Sequence, residues 1–293
     1  MPLEQPEKYF LNKKVSIARR GIFSMEQPET FKVYAIRYAH LGGRNASEMF
    51  IRGDVHDGPM ALDYFIWAAV GPAHTYVIDT GFNHIVAKRR GRTLLRTPSE
   101  GLALIGVDAE NVQDVILTHL HYDHVGNFSM FPNARLHVQD KEVQYATGRH
   151  MREQPFQAAY EVDDVVGLVK EVYKGRVEFH NGDAELSPGA SVHFIGGHTM
   201  GMQCVRLWTN RGWLVLASDA SHLYANMEKV APFPIVFDVG QMVSGYRILR
   251  KLADSSDHII PGHDPLVLKR YPTVTKELEG VAVRLDKPPL PPK

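Results

Sequence analysis

One segment constrains this chain more than any other: the apolar run VQDVILT ends at Thr118, and the sequence HLHYDH follows at once. A short run that is almost wholly apolar is typical of a strand buried on both faces. If His119 and His121 continue that strand, period-two alternation points both imidazoles to one side. A turn after them would bring Asp123 and His124 toward the same space. So many polar atoms are unusual in a packed core, whereas imidazole nitrogens and carboxylate oxygens are the ligands that a metal ion binds.

Three further apolar strands end at a side chain that binds metals well. The run VHFIGG is followed by His198, WLVLAS by Asp219 and HIIPG by His263. A lone histidine after a strand is more often structural, but four such strand ends together favour a site built where loops converge. Glycines precede both histidines, and they permit the tight backbone turn that lets a side chain reach inward.

The candidate ligands are more numerous than one metal requires, because a tetrahedral zinc accepts four. Two metals that share a bridging carboxylate would use the whole set, which is His119, His121, Asp123, His124, His198, Asp219 and His263. Asp219 is the natural bridge, since a carboxylate offers two oxygens and a neutral imidazole one free lone pair. The sequence therefore predicts a binuclear site.

Composition removes several classes of partner. The chain has 293 residues with 33 Lys+Arg and 33 Asp+Glu, so there is no global electrostatic argument for nucleic acid or an anionic membrane. Its one cysteine, Cys204, excludes an intramolecular disulfide framework, fits a reducing compartment and is expected in the core. No segment has the roughly 18 apolar residues that a bilayer span needs. We therefore expect a cytoplasmic protein, a monomer or homodimer, with a small-molecule partner.

Strand and helix patterns alternate along most of the chain. The segments FKVYAIRYAH, DYFIWAAV and HTYVIDTG read as strands, the last two as a hairpin, and TPSEGLALIGV begins like a capped helix. Residues 151–175 have helical spacing, and VGQMVSGYRILRKLADSS is an amphipathic helix. We expect an N-terminal arm over 1–30, one catalytic domain over 31–275 and a C-terminal tail over 276–293, of which KPPLPPK looks disordered. Two face-to-face sheets with helices outside would accommodate this order.

Five motifs together resemble a known family. THLHYDHVGN, GGHT, SDAS and PGHD, with IDTG upstream, are similar over residues 31–268 to the metallo-β-lactamase-fold hydrolases, and most to their N-acyl-homoserine lactonase branch. The resemblance implies an α/β fold, a four-layer αββα sandwich with the metals between the sheets. It implies one metal on His119, His121 and His198, a second on Asp123, His124 and His263, and Asp219 bridging both. Asp79 of IDTG matches a position that supports the ligands from behind, although Asp-Thr-Gly is also ordinary turn chemistry.

The resemblance also implies an activity. Two divalent metals, with zinc favoured and manganese, iron or cobalt as alternatives, would activate a bridging hydroxide that opens a lactone, an N-acyl-homoserine lactone among the candidates. Asp123 would shuttle a proton to the leaving group. A thioester hydrolase of the glyoxalase II kind and a mononuclear-iron persulfide dioxygenase share the H-x-H-x-D-H motif and are the alternatives. A third alternative is a non-catalytic binding or structural member, in which the metal only stabilises the fold.

The sequence departs from the lactonase branch at His222. That branch has a tyrosine three residues after the bridging aspartate, where this chain reads DASH. An imidazole can donate a hydrogen bond to an oxyanion or protonate a leaving group, so His222 is a second candidate catalytic residue beside Asp123; a structural loop histidine is the alternative. Tyr224 would share the face of His222 only in an extended segment. The candidate pocket residues are Phe50, Ile51, Met60, Phe65, Met200 and Tyr224.

Overall fold

Two β-sheets form the centre of the computed structural model, which describes residues 27–54 and 56–291. The strands are β1 (Lys32–Leu41), β2 (Leu62–Val70), β3 (Thr75–Ile78), β4 (Thr93–Leu94), β5 (Asp114–Ile116), β6 (Arg135–Gln139), β7 (Val177–His180), β8 (Ala184–Ser187), β9 (Ala190–Phe194), β10 (Gln203–Thr209), β11 (Gly212–Ser218), β12 (Ile259–Pro261) and β13 (Ala282–Arg284).

Helices connect and cover these strands. They are α1 (His84–Arg90), α2 (Pro98–Ala103), α3 (Tyr122–Val125), α4 (Asp140–Ala146), α5 (Gln154–Gln157), α6 (Val162–Tyr173), α7 (Tyr224–Glu228), α8 (Val239–Leu252) and α9 (Leu266–Arg270). Short 3₁₀ turns occur at Ala46–Met49, Ala109–Asn111, Phe128–Met130, Arg149–Arg152, Ser256–His258 and Lys276–Leu278. The described residues contain no helix with the length and apolar character that crossing a bilayer requires.

Both sheets are mixed. The first has the order β13-β1-β2-β3-β5-β6-β7, with β4 also paired to β1, and it is antiparallel up to β3 and parallel from β3 to β7. The second has the order β12-β11-β10-β9-β8 and is parallel only between β11 and β12. Strand β5 therefore belongs to the first sheet and strands β11 and β12 to the second, and the site forms where their ends meet.

Alternation along β2 shows how the layers pack. Phe65 and Trp67 belong to a core that includes Leu207 of the second sheet and residues of α8. Tyr64 and Ile66, one residue out of phase, belong to a second core formed with α1, α2 and α6. A strand buried on both faces is the expected interior element of stacked layers. The architecture is the four-layer αββα sandwich that was expected.

The predicted elements are confirmed with one adjustment. Strand β1, the β2–β3 hairpin and α8 lie where their patterns indicated, and Thr97 caps α2 with Glu100 in a capping box. Residues 151–175 are not one helix: α5 and α6 are separate, because the chain between them turns to place Tyr160 in the core.

The ends of the chain join the sandwich where they are described. Of the predicted arm 1–30, residues 1–26 lie outside the described residues, and Glu29 donates its N–H to the Pro188 carbonyl. Of the predicted tail 276–293, residues 282–284 are strand β13 beside β1, because Ala282 packs in one core and Val283 in the other. The segment KPPLPPK is described up to residue 291, and its Leu290 N–H bonds to the Arg270 carbonyl.

Candidate metal centre

The candidate ligands come together from four strand ends. His119 and His121 lie in the loop after β5, Asp123 and His124 on α3, His198 after β9, Asp219 directly after β11, and His263 one residue past β12, after Gly262. Each is buried, and the most exposed member, Asp123, is 7% exposed. These residues are far apart in the sequence, but they lie close together because the strands that carry them end at one edge of the sandwich.

Local backbone geometry turns these side chains inward. His121 is the N-cap of α3 with an extended backbone, so the chain changes from loop to helix inside the motif. Gly196 and Gly197 have φ of 68° and 86°, in the left-handed region that glycine adopts without strain. A Cβ on Gly262 would lie 2.5 Å from Asp219 Oδ1, so glycine is required there for close approach. The predicted tight turn is confirmed for Gly196 and Gly197, and Gly262 serves close approach instead.

Asp219 lies between two groups of histidines. Its Oδ2 is 3.3 Å from His198 Nε2 and 3.9 Å from His119 Nε2. Its Oδ1 is 3.0 Å from His263 Nε2 and 3.4 Å from His124 Nε2. One carboxylate thus presents one oxygen to each group, which is the arrangement a bridging ligand needs.

Each group has a further member. His119, His121 and His198 have ligand atoms within 4.8 Å of one another, and so do Asp123, His124 and His263. On the second side, Asp123 Oδ2 is 3.5 Å from His124 Nε2 and 3.6 Å from His263 Nε2. Imidazole nitrogens with two carboxylates form a donor set suited to zinc and several other transition metals.

Two buried atoms test whether cations fit this donor set. Among the described residues, His124 Nε2 and Asp219 Oδ1 have no hydrogen-bond partner. A buried polar atom without a partner is costly, so such atoms indicate an ion or water that the protein side chains themselves do not supply. The two atoms lie 3.4 Å apart, and His124 Nε2 is also 3.5 Å from Asp123 Oδ2. The residues therefore fit a cation at this position.

The nitrogens on the far side of the rings are occupied. His198 Nδ1 donates to the Ile235 carbonyl at 2.7 Å, and His263 Nδ1 to the Asp63 carbonyl at 2.9 Å. His124 Nδ1 lies 2.7 Å from Asp79 Oδ2. Such bonds fix the tautomer and leave Nε2 free to bind a metal.

Burial and charge act differently on the two halves of the cluster. Burial lowers the pKa of His198 to about 4 and lowers the pKa of His119 and His121 well below its usual value, so these imidazoles are neutral at neutral pH. Burial also disfavours the charged form of His124, but the carboxylate of Asp123 and two others outweigh it and raise the pKa of His124. Concentrated negative charge in the second half attracts a cation.

Asp79 combines the two roles that the sequence left open. It has φ of 61°, a left-handed turn conformation. Its carboxylate also accepts from the Thr118 N–H at 2.8 Å and the Thr118 hydroxyl at 2.9 Å, besides its contact with His124. Asp79 is therefore both a turn residue and a support for a candidate ligand.

His222 lies against the cluster. Its Nε2 is 2.9 Å from Asp219 Oδ2, and its ring stacks on Phe233 with centroids 3.3 Å apart. Its backbone carbonyl accepts from the His263 N–H at 2.9 Å. These contacts hold the imidazole against the carboxylate shared by both histidine groups.

The candidate pocket residues divide into two sets. Phe50 and Met60 pack beside Leu223, the neighbour of His222. Phe65 and Tyr224 instead belong to the core between the sheets, because Phe65 alternates inward on β2 and Tyr224 begins helix α7. The Arg270 guanidinium lies over the Tyr224 ring, with its Cζ 3.9 Å from the ring centroid. The prediction that Tyr224 lines the pocket is therefore wrong. Ile51 and Met200 are half-buried, and Cys204 is core as predicted.

Three supporting residues escaped sequence reasoning. Asp63 accepts from His263 through its carbonyl, Phe233 stacks on His222, and Glu142 contacts two of the ligand loops. Glu142 lies in the first turn of α4, where an acidic residue is ordinary helix chemistry, so it gives no signal. Asp63 and Phe233 act through tertiary contacts alone.

Comparison with known proteins gives a family and a group of relatives. Residues 58–263 match the metallo-beta-lactamase superfamily. An N-acyl homoserine lactonase from Bacillus sp is 29% identical over 167 residues, which cover 56% of this chain and 60% of that protein. The match thus spans about 60% of the length of that relative.

Solved structures share the architecture. A quorum-quenching N-acyl homoserine lactone lactonase superposes with a TM-score of 0.67 at 22% identity, covering 81% of this chain and 94% of that one. AidC, a dizinc quorum-quenching lactonase, superposes with a TM-score of 0.62 at 17% identity, covering 82% of this chain and 92% of that one. At these identities the likeness shows a common fold.

Proposed function

The chain belongs to the metallo-beta-lactamase superfamily, and we propose that it is a binuclear metallohydrolase that opens a lactone. The observation that carries the proposal is the position of Asp219, which presents one oxygen to each of two groups of buried histidines. The names of the relatives favour an N-acyl-homoserine lactone as the first substrate to try. The partner is thus a small molecule.

In this proposal each histidine group holds one divalent cation. The first would be bound by His119, His121 and His198, and the second by Asp123, His124 and His263, with Asp219 on both. Zinc is the first choice, supported by the dizinc composition of AidC, and manganese, iron and cobalt are the alternatives. When bound, such a pair supplies a water that is nucleophilic near neutral pH and polarises a carbonyl group.

Asp123 is the proposed proton carrier. Its backbone carbonyl accepts from the Tyr38 hydroxyl at 2.9 Å, so the main chain is fixed while the carboxylate faces the cluster. Its Oδ2 lies 3.5 Å from His124 Nε2 and 3.6 Å from His263 Nε2. From this position a carboxylate can take a proton from the attacking water and return it to the leaving alkoxide, which completes ring opening.

His222 is the proposed contact to the substrate oxygen. With Nε2–H donated to Asp219, the other ring nitrogen is the atom that can meet a substrate. Burial lowers the pKa of His222, so the ring donates from both nitrogens only where the negative charge of a developing oxyanion favours the imidazolium form, and it can then bind that oxyanion without releasing Asp219. The stack on Phe233 fixes the ring plane and therefore the direction of that donor.

Paired metal analysis and lactone-opening assays test the function. Freshly purified protein should contain two metals per chain and acidify a pH indicator when given lactones, and lactones with and without an acyl-amide arm identify the substrate class. Asp219→Asn is the control, because it should lose the metals and the activity together. A single iron per chain with no lactone opening would refute the proposal and favour the dioxygenase. Activity on thioesters alone would favour the glyoxalase II kind.

Two variants test His222. His222→Phe keeps the stack on Phe233 and removes both nitrogens, so turnover should fall about 10²- to 10⁴-fold while two metals stay bound. His222→Tyr should recover part of that loss, because a phenol can donate to the same oxygen. Full activity of His222→Phe would assign a structural role. The expected monomer or homodimer state and the cytoplasmic location stay predictions.

A further inference from the structure

Glu142 is a fully buried carboxylate outside the candidate ligand set. Its Oε1 accepts from the Leu120 N–H at 3.0 Å and from the Tyr160 hydroxyl at 3.0 Å. Its Oε2 accepts from the Thr199 hydroxyl at 2.5 Å and from the Gly201 N–H at 3.0 Å. Four donors converge on one side chain, and two of them are main-chain groups that cannot rotate away.

Three of those donors belong to the loops that carry one histidine group, and the fourth, the Tyr160 hydroxyl, lies between α5 and α6. Leu120 lies between His119 and His121, and Thr199 directly follows His198. The two loops come from different sheets, since His119 follows β5 and His198 follows β9. Glu142 therefore joins the two loops at the level of the three histidines.

The loop after His198 is pressed against the start of α4. A Cβ on Gly201 would lie 2.1 Å from the Glu142 nitrogen and 2.4 Å from its Cα, so only glycine allows this approach. On the other side, the ring of Tyr160 lies edge-on to His121 with centroids 4.7 Å apart. The carboxylate thus also orients the residue that packs on a histidine ring.

The other histidine group is held by different residues. Asp79 supports His124, and the Asp63 carbonyl supports His263. A carboxylate accepts at four positions, whereas an amide of the same shape has one oxygen and two N–H groups that would face donors. Replacing Glu142 by Gln should therefore disturb the first group and leave the second group with its own supports.

We propose that Glu142 is a positioning residue that sets the spacing of His119, His121 and His198 for the first metal. The inference rests on the metal assignment in the proposed function, but it concerns metal affinity rather than the substrate. Residues behind metal ligands typically change metal affinity about 10- to 100-fold when altered.

The test is metal binding by the full-length chain after stripping, measured by competition between the protein and a chromophoric chelator for Zn²⁺ and followed by Co²⁺ absorption. Glu142→Gln should weaken one binding step about 10- to 100-fold and leave the other within about threefold. Asp123→Asn should weaken the other step, which identifies the sites. Equal weakening of both steps, or no weakening, overturns the proposal.

A matched control separates positioning from general destabilisation. Glu171 is a buried glutamate of α6 whose partners are Lys174 and Arg176, so Glu171→Gln should change neither step. If Glu142→Gln fails to fold, Thr199→Val removes a single donor and should weaken the same step to a smaller extent. If Zn²⁺ binding by Thr199→Val is unchanged, that result counts against the positioning role of Glu142.

Failure of the function can be told apart from failure of this inference. A parent protein that binds two metals and opens no lactone refutes the substrate and leaves the binding test intact. A parent that binds one ion refutes the binuclear site, and unchanged affinity in Glu142→Gln then overturns the positioning role as well. A parent that binds none overturns both.

Discussion

Asp79→Asn tests how strongly the residues behind the ligands control the second histidine group. Asparagine tolerates the left-handed backbone that Asp79 adopts at φ of 61°, so the substitution changes acceptors without adding much strain. The side chain keeps its shape and loses one acceptor oxygen. Its partners are the Thr118 N–H and hydroxyl, His124 Nδ1 and the Ser218 hydroxyl.

The free-energy cost of Asp79→Asn depends on which of the two oxygen positions the new amide nitrogen takes. If its nitrogen takes the Oδ1 position, it faces the Thr118 N–H, which can only donate. If it takes the Oδ2 position, it donates to His124 Nδ1 and moves the ring proton to Nε2, the nitrogen needed for a metal. The first orientation leaves buried donors unsatisfied, which costs about 1–3 kcal/mol, or about 5- to 150-fold, and the second places a proton on the nitrogen that a metal needs.

Two assays report that cost. Urea unfolding of the metal-free protein should show a loss of about 1–3 kcal/mol in the free energy of unfolding. Zn²⁺ competition should show about 10- to 100-fold weaker binding at one site, the same one that Asp123→Asn weakens. Asp79→Ala should lose more stability than Asp79→Asn, because alanine also strains the left-handed backbone. Parent-like unfolding and parent-like binding in Asp79→Asn would refute the reasoning.

Three further predictions concern other parts of the molecule. Gly262→Ala places a Cβ 2.5 Å from Asp219 Oδ1, so metal content after dialysis should fall at both sites, and parent-like content would contradict the bridging role. Burial, then Glu161 and Asp163, raises the pKa of Asp164 to about 6, so its ionised form destabilises the fold above that pH and the penalty disappears as pH falls toward 4. Asp164→Asn should therefore raise the free energy of unfolding of metal-free protein by about 1 kcal/mol at pH 8 and leave it unchanged near pH 4, whereas an equal gain at both pH values would refute the assignment. Burial also raises the pKa of the Cys204 thiol, so a thiol reagent should react only after unfolding, and reaction of native protein would place Cys204 outside the core.

Local pattern was enough for much of the architecture and for the identity of the candidate ligands. Strand β2 and the run before His119 are apolar on both faces, and a strand of that kind belongs inside stacked layers. Alternation, helix caps and left-handed glycines depend on neighbours a few residues away. The H-x-H-x-D-H spacing is local in the same way, because it places four metal-binding side chains within six consecutive residues.

Contacts between distant segments were decided only by the tertiary structure. Asp219 Oδ1 meets His263 after β12 and Asp219 Oδ2 meets His198 after β9, and no spacing in the sequence reports that division. Likewise Glu142 reaches Leu120 and Gly201, and Asp79 reaches His124, across separations that vary with packing. Tyr224 lies in the core for the same reason, since a helix begins there and rotates its ring away from His222. Side-chain chemistry and local geometry are properties of the sequence, whereas the partner that each group meets depends on how the layers close.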